Sequence, residues 1–355
     1  MADLLEVLLQ HAHDVKATDL HLCAGSKPLV RKNGRLHEVE SAEMILPPAV
    51  NTILDGLLDD RKKRRLDENR VLDFSFSKPG LGRFRANVYS QRGTYAMAIR
   101  MLPFDIPAFE KLGLPPIVES FTAKSKGLFL ATGATGSGKS TTLASLLNVI
   151  NENYNYHVIT IEDPIEYLHK HKKSLMTQRE IGEDADSFAS ALRAALREDP
   201  DVIMVGEMRD PETISIALTA AETGHLVLST LHTVGAAKSI DRIVDAFPPA
   251  QQNQVRSQLA TVLEGVVSQQ LLPRIDQSGL VVASEVMFVN PAIRNLIREG
   301  KHYQITSIMQ TGQTKGMQLL EANLAELCNK GIIDKEETML HAQDPQLLTQ
   351  FLNRR

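Results

Sequence analysis

Eight consecutive residues carry the clearest chemistry in the sequence: Gly133, Ala134, Thr135, Gly136, Ser137, Gly138, Lys139 and Ser140, the pattern G-x-x-x-x-G-K-[ST]. Glycines at these positions let backbone N–H groups converge on phosphate oxygens without a Cβ in the way. A helix beginning at the lysine adds free donors and partial positive charge. Lys139 reaches the β- and γ-phosphates, the Ser140 hydroxyl suits Mg²⁺, and Thr141 continues the first turn. An apolar strand, LFLAT, precedes the motif and a helical run, STTLASLLNVI, follows it. That context is what the mechanism requires, and it predicts binding of a nucleoside triphosphate, ATP, with Mg²⁺.

Phosphoryl transfer also needs acids that orient water or hold the metal. In an open parallel sheet such groups sit at the carboxyl ends of strands. Val158–Ile161 runs into Glu162 and Asp163, and Val202–Val205 runs into Gly206 and Glu207. Gly206 stands where an aspartate is common at such an end, so Glu207 is expected to act on the metal or its water shell. A third strand, Leu226–Thr230, ends near His232, which is placed to contact the γ-phosphate or to serve a structural role. The pairs His11/His13 and His169/His171 lack further ligands and read as surface histidines rather than a metal site.

These residues need elements to position them. Residues 127–132, 157–161, 201–205 and 226–230 read as short apolar strands. Helices are expected over 140–151, 185–198 and 211–223, giving an α/β, mostly parallel sheet. From about residue 250 the chain reads as largely helical, with one strand-like run at 279–288. Residues 1–102 read as a smaller α+β domain: a helix over 2–13, a hairpin at Asn33-Gly34, one helix from about 48 to 68, and strands over 71–102. Pro103, Pro107, Pro115 and Pro116 mark residues 103–116 as a linker, with the ATPase-type domain at 117–355. The window 74–104 holds Lys78, Arg83, Arg85, Arg92 and Arg100 and no acid. Its basic face either finds partners elsewhere in the fold or meets an anion.

Composition excludes other classes. The chain has 355 residues, 43% hydrophobic and 23% charged, enough for two or three cored domains. A net charge of −4 and no Trp count against a nucleic-acid translocase. Cys23 and Cys328 are too far apart in sequence for a CxxC site and fit a reducing cytosol. The N-terminus lacks a signal-peptide pattern, and no apolar run is long enough to span a membrane.

Taken together, GATGSGKSTTLA, ITIEDPIEY, REDPDVIMVGEMRDPETISIALTAAETGHLVLSTLHT and NPAIRNLIREGK resemble the secretion-ATPase superfamily, and within it the type IV pilus retraction motors. Similarity runs from TDLHL (Thr18–Leu22) through GRFRANVYSQRG and KLGLPP to AIRNLIREGK. The resemblance implies a ring homo-hexamer whose subunits pair an N-terminal PAS-like domain with a RecA-like P-loop core. It implies ATP bound between the two domains, with Arg83 and Arg92, then Arg85 and Arg100, as candidates to complete the site. It makes Glu162 the catalytic base and Glu207 the Walker B glutamate, and it places His225 and His232 in a histidine box. It further implies a cytoplasmic motor peripheral to the inner membrane, acting on a membrane-embedded pilus platform protein, with a paralogous retraction ATPase as another partner. An accessory retraction ATPase and a RecA-type nucleic-acid translocase are the alternatives. The AIRNLIREGK helix is expected to couple turnover to retraction, with Arg294 and Arg298 as an outward basic stripe and Leu296 on an apolar face.

Overall fold

The computed structural model describes residues 4–102, 105–312 and 316–353. Two compact units emerge, Met1–Asp105 with Pro164–Leu168, and Ile106–Asp163 with His169–Arg355.

The first unit is built on an antiparallel six-stranded sheet, order β3-β2-β1-β6-β5-β4. Its elements are α1 (Leu4–Asp14), β1 (Asp19–Cys23), β2 (Leu29–Lys32), β3 (Arg35–Glu38), α2 (Pro47–Leu57), α3 (Asp60–Asn69), β4 (Val71–Lys78), β5 (Gly82–Gln91) and β6 (Thr94–Met101). Alternation places Phe84, Ala86 and Val88 of β5 in the core and leaves Arg85 exposed. Asn33 and Gly34 both take positive φ, the geometry of the two-residue hairpin their sequence signals. The single helix expected over 48–68 is two. Asp59 accepts a hydrogen bond from the Lys62 amide and restarts the chain as α3, while Leu58 turns extended and buries itself.

The second unit begins earlier than expected. Residues 106–116, read as linker, belong to it: Phe109 and Leu114 are buried, and two 3₁₀ segments, Phe109–Leu112 and Pro116–Ala123, pack against its core. Pro103, the first residue of that span, lies outside the described residues. Then follow β7 (Gly127–Thr132), α4 (Lys139–Asn153), β8 (His157–Glu162), β9 (Leu175–Glu180), α5 (Phe188–Ala195), β10 (Val202–Val205), α6 (Pro211–Glu222), β11 (Leu226–Leu231), α7 (Ala236–Asp245) and α8 (Pro249–Val262). Next come β12 (Leu263–Pro273), β13 (Leu280–Phe288), α9 (Pro291–Arg298), α10 (Ile305–Thr311), α11 (Leu320–Asn329), α12 (Lys335–His341) and α13 (Pro345–Leu352).

Seven strands form one mixed sheet, order β13-β12-β7-β11-β10-β8-β9. All run parallel except β13, which is antiparallel to β12. Both β9 and β12 are additions to the sequence reading. The first is a polar edge strand. The second interrupts its apolar residues with Ser268, Gln269 and Gln270, so it reads neither as a buried strand nor as a clean alternation.

Helix α9 forms as its signals require: the Asn290 side chain caps the Ile293 amide, Pro291 opens the helix, and Gly300 follows with φ of 70°. Ile293 and Ile297 are buried, with Leu296 half-buried beside them. Arg294 is not part of an outward stripe. Its guanidinium donates to the Ala260 and Thr261 carbonyls at 2.8 and 2.7 Å and to Glu264 Oε1 at 2.6 Å, closing the C-terminus of α8. Arg298 remains exposed. Arg294→Glu therefore leaves those acceptors unpaired and sets a second carboxylate beside Glu264. We expect it to lower folding stability by about 2 kcal/mol, read as a lower denaturation midpoint; an unchanged midpoint refutes the clamp.

Candidate active site: a phosphate loop beside paired strand ends

The site is built where β7, β11, β10 and β8 end side by side, in register. Leu231 of β11 lies opposite Thr132 of β7, and Val205 of β10 lies between Ser229 and Ile161. β7, β10 and β11 are buried along their length, so residues just beyond their ends are the first to reach solvent. The phosphate loop leaves β7 there, Glu207 follows β10, and His232 follows β11.

Gly133 cannot be another residue. Its φ is 142°, and a Cβ would lie 2.3 Å from the Gln269 carbonyl oxygen and 2.5 Å from Ser137 Oγ. The loop is thus pressed onto β12, and Gln269 Nε2 donates to the Ser137 carbonyl at 3.4 Å. Gly136 and Gly138 also take positive φ. Ser137 Oγ is buried with no hydrogen-bond partner. The Lys139 ammonium is buried and donates to the Gly133 and Ala134 carbonyls, each at 2.8 Å. Ala134, Thr135, Gly136 and Ser140 are exposed along the loop, with Thr141 half-exposed. An orphaned Ser137 hydroxyl, a lysine bent over the loop and a 15-residue helix opening at Lys139 suit a polyphosphate with its Mg²⁺.

Glu207 is the meeting point of the neighbouring strand ends. Its Oε2 lies 2.6 Å from Arg209 Nε and 3.3 Å from His232 Nε2. His232, for which sequence alone allowed a structural role, thus touches an acid of the site. Arg209 is a partner the sequence did not single out, although it is two residues from Glu207. His225 serves a local purpose, with Nδ1 3.0 Å from the Ala220 carbonyl at the end of α6.

Glu162 ends β8, one strand beyond β10 and three from β7, about 14 Å across the sheet from the phosphate-loop strand. Its side chain is buried and held: Thr160 Oγ1 donates to Oε1 at 2.7 Å and Gln178 Nε2 at 3.2 Å. Gln178 in turn accepts the His169 amide at 2.8 Å. His169 is half-buried, with its ring Nδ1 enclosed, and is not the surface histidine expected. Burial drops its pKa to about 4, and its ring stays neutral at physiological pH. His171 is exposed, and its Nδ1 accepts the Met176 amide. Among the described residues, no group of three or more His, Cys, Asp or Glu is arranged to hold a metal.

The arginine candidates lie in the first unit. Arg83 makes three hydrogen bonds there: Nε donates to the Ile165 carbonyl at 3.1 Å, and its terminal nitrogens donate to Ser75 and Ser77. Arg100 pairs with Asp19 at 3.0 Å. Arg92 sits in the two-residue turn joining β5 to β6, exposed, with φ of 46°. Arg83 and Arg92 stand at opposite ends of β5, nine residues or about 30 Å apart. One subunit cannot bring both to a single triphosphate.

A family model described as type II/IV secretion system protein matches residues 2–347. The type IV pilus retraction ATPase PilT of Pseudomonas aeruginosa is 46% identical over 334 residues, covering 93% of this chain and 95% of that protein. The type IV pilus ATPase PilU of the same organism is 38% identical over 337 residues, covering 95% and 88%. A crystal structure of the pilus retraction motor PilT with bound ADP superposes with a TM-score of 0.93, at 49% identity, covering 99% of this chain and all of that one. The phosphate loop, the strand-end acids and this near full-length match together make the chain a member of the type II/IV secretion system protein family.

Proposed function

We propose that this chain is the ATP-hydrolysing motor subunit of type IV pilus retraction, driving pilin disassembly and twitching motility. The observation that carries the reading is the contact of Glu207 with His232 at the strand ends beside the Lys139 loop. The retraction ATPase PilT matches almost end to end, and identity to it is higher than to PilU.

On this reading the second unit is a RecA-like P-loop core and the first a PAS-like domain, six of each forming a ring. The loop amides and Lys139 bind the phosphates of ATP. Ser140 would hold Mg²⁺, with Glu207 placed to act on its water shell. The metal would supply neutralisation of phosphate charge. Glu162, held by Thr160 and Gln178, takes the proton of the attacking water. His232 orients the Glu207 carboxylate, and an arginine of residues 74–104, with exposed Arg92 ahead of the bonded Arg83, supplies a cation to the nucleotide. The motor sits in the cytoplasm against an inner-membrane platform protein, without nucleic acid. Among the described residues, no helix is long and apolar enough to cross a membrane.

The test is complementation. A strain lacking its retraction ATPase should regain twitching with this chain and not with its Lys139→Ala variant, and the purified chain should hydrolyse ATP only with Mg²⁺. Hydrolysis that rises only with added DNA would favour a translocase instead.

A further inference from the structure

The loop that presents His232 is held from behind by groups in no nucleotide-binding motif. It runs from the end of β11 through Thr233 and Gly235 into α7. Gly235, at the N-cap, has no side chain to satisfy the first N–H groups of that helix. Two residues opposite each other on β12 and β13 do so instead. Ser268 Oγ accepts the Gly235 amide at 2.8 Å, and Glu285 Oε1 accepts the Ala236 amide at 2.6 Å. The loop is tied at its other side by Thr233 Oγ1 to Ser239 Oγ at 2.7 Å. His232, three residues before Gly235, reaches Glu207.

We propose that Glu285 is a positioning residue for ATP hydrolysis, gripping the start of α7 together with Ser268 and so setting the loop that holds His232 against Glu207. This rests on the catalytic reading of Glu207 and His232 given above. The same carboxylate faces the C-terminal helices. Glu321 of α11 is buried near it and accepts the Gln343 and Asp344 amides at 3.1 and 3.0 Å. Lys238 of α7 reaches Gln343 at 3.4 Å. His341 of α12 bonds Gln270 of β12 and pairs with Glu337. The grip is therefore placed to read the state of α11–α13 as well as that of the loop.

Charge matters to this grip. A carboxylate binds a helix N-terminal amide more strongly than a neutral acid does. Burial raises Glu285 from 4.5 to about 7, with the Glu321 carboxylate adding to the rise, while the Ala236 amide and Lys238 oppose it. The folded state thus keeps a proton that the unfolded chain releases near 4.5. Its stability falls as pH rises from there to about 7 and is level above. Ionised Glu285 makes the better grip and the less stable fold.

The experiment measures ATPase rate against pH, and unfolding midpoint, for the full assembled chain, Glu285→Gln and His232→Ala. Wild-type kcat should gain a limb through about pH 7 that Glu285→Gln lacks. At pH 8 the glutamine variant should turn over roughly tenfold more slowly, with little change in KM and a midpoint no lower than wild type. A residue that only supports the fold would instead lower the midpoint and leave the limb. If His232→Ala slows hydrolysis while Glu285→Gln keeps the limb, the positioning role is overturned. If His232→Ala hydrolyses ATP at the wild-type rate, the reading of the site fails and this inference with it.

Discussion

Lys139→Ala should abolish ATP hydrolysis while leaving the protein folded. The ammonium is the one side-chain cation of the phosphate loop, and its bonds to the Gly133 and Ala134 carbonyls hold it over the loop. Charge developing on the transferred phosphoryl group has no other lysine in that loop to meet it. Loss of one preorganised donor of this kind costs on the order of 10²–10³ in rate. The fold should tolerate the change, because Thr142 still bonds the Gly138 carbonyl and α4 packs through Leu143, Leu146 and Leu147, away from the lysine. The measurements are ATP turnover and circular dichroism on the purified variant. Turnover near the wild-type rate in a folded protein would sink the assignment.

Glu207→Gln should keep ATP binding and lose turnover by about 100-fold or more. The amide preserves the shape of the side chain and removes the charge that, on the proposed reading, would organise the metal shell. It also leaves the Arg209 guanidinium and the His232 ring without their shared anion. Glu162→Gln should show the same split, since Thr160 and Gln178 can still hold an amide oxygen in place. Nucleotide affinity from equilibrium titration and turnover from phosphate release separate the outcomes. A collapse of affinity with turnover following in proportion would make these residues part of the binding pocket and not of the chemistry.

Much of this was legible from local signals. The phosphate loop, the strands that end at Glu162, Glu207 and His232, and the capped helix at Pro291 are each written within a dozen residues. What escaped depended on partners distant in sequence. Arg294 and Arg298 look alike on a helical wheel, and only packing against α8 distinguishes a clamp from an exposed charge. His169 looked exposed because nothing local announces that β9 will bring Gln178 to its amide. The strand β12 was missed because Ser268, Gln269 and Gln270 spoil its apolar run. Those residues are polar for a tertiary reason: they bond the loop before α7, the phosphate loop and His341 in turn. The separation of Arg83 from Arg92, by contrast, follows from strand rise alone.

The contact of Gly133 with the Gln269 carbonyl bears on how this molecule can accumulate change over generations. Two stretches more than a hundred residues apart meet there as bare backbone, with no side chain between them to absorb a misfit. Variation in the bulk of β12 or in its insertions would shift the phosphate loop directly. Across a lineage, these two stretches can change only together, each constrained by the backbone of the other.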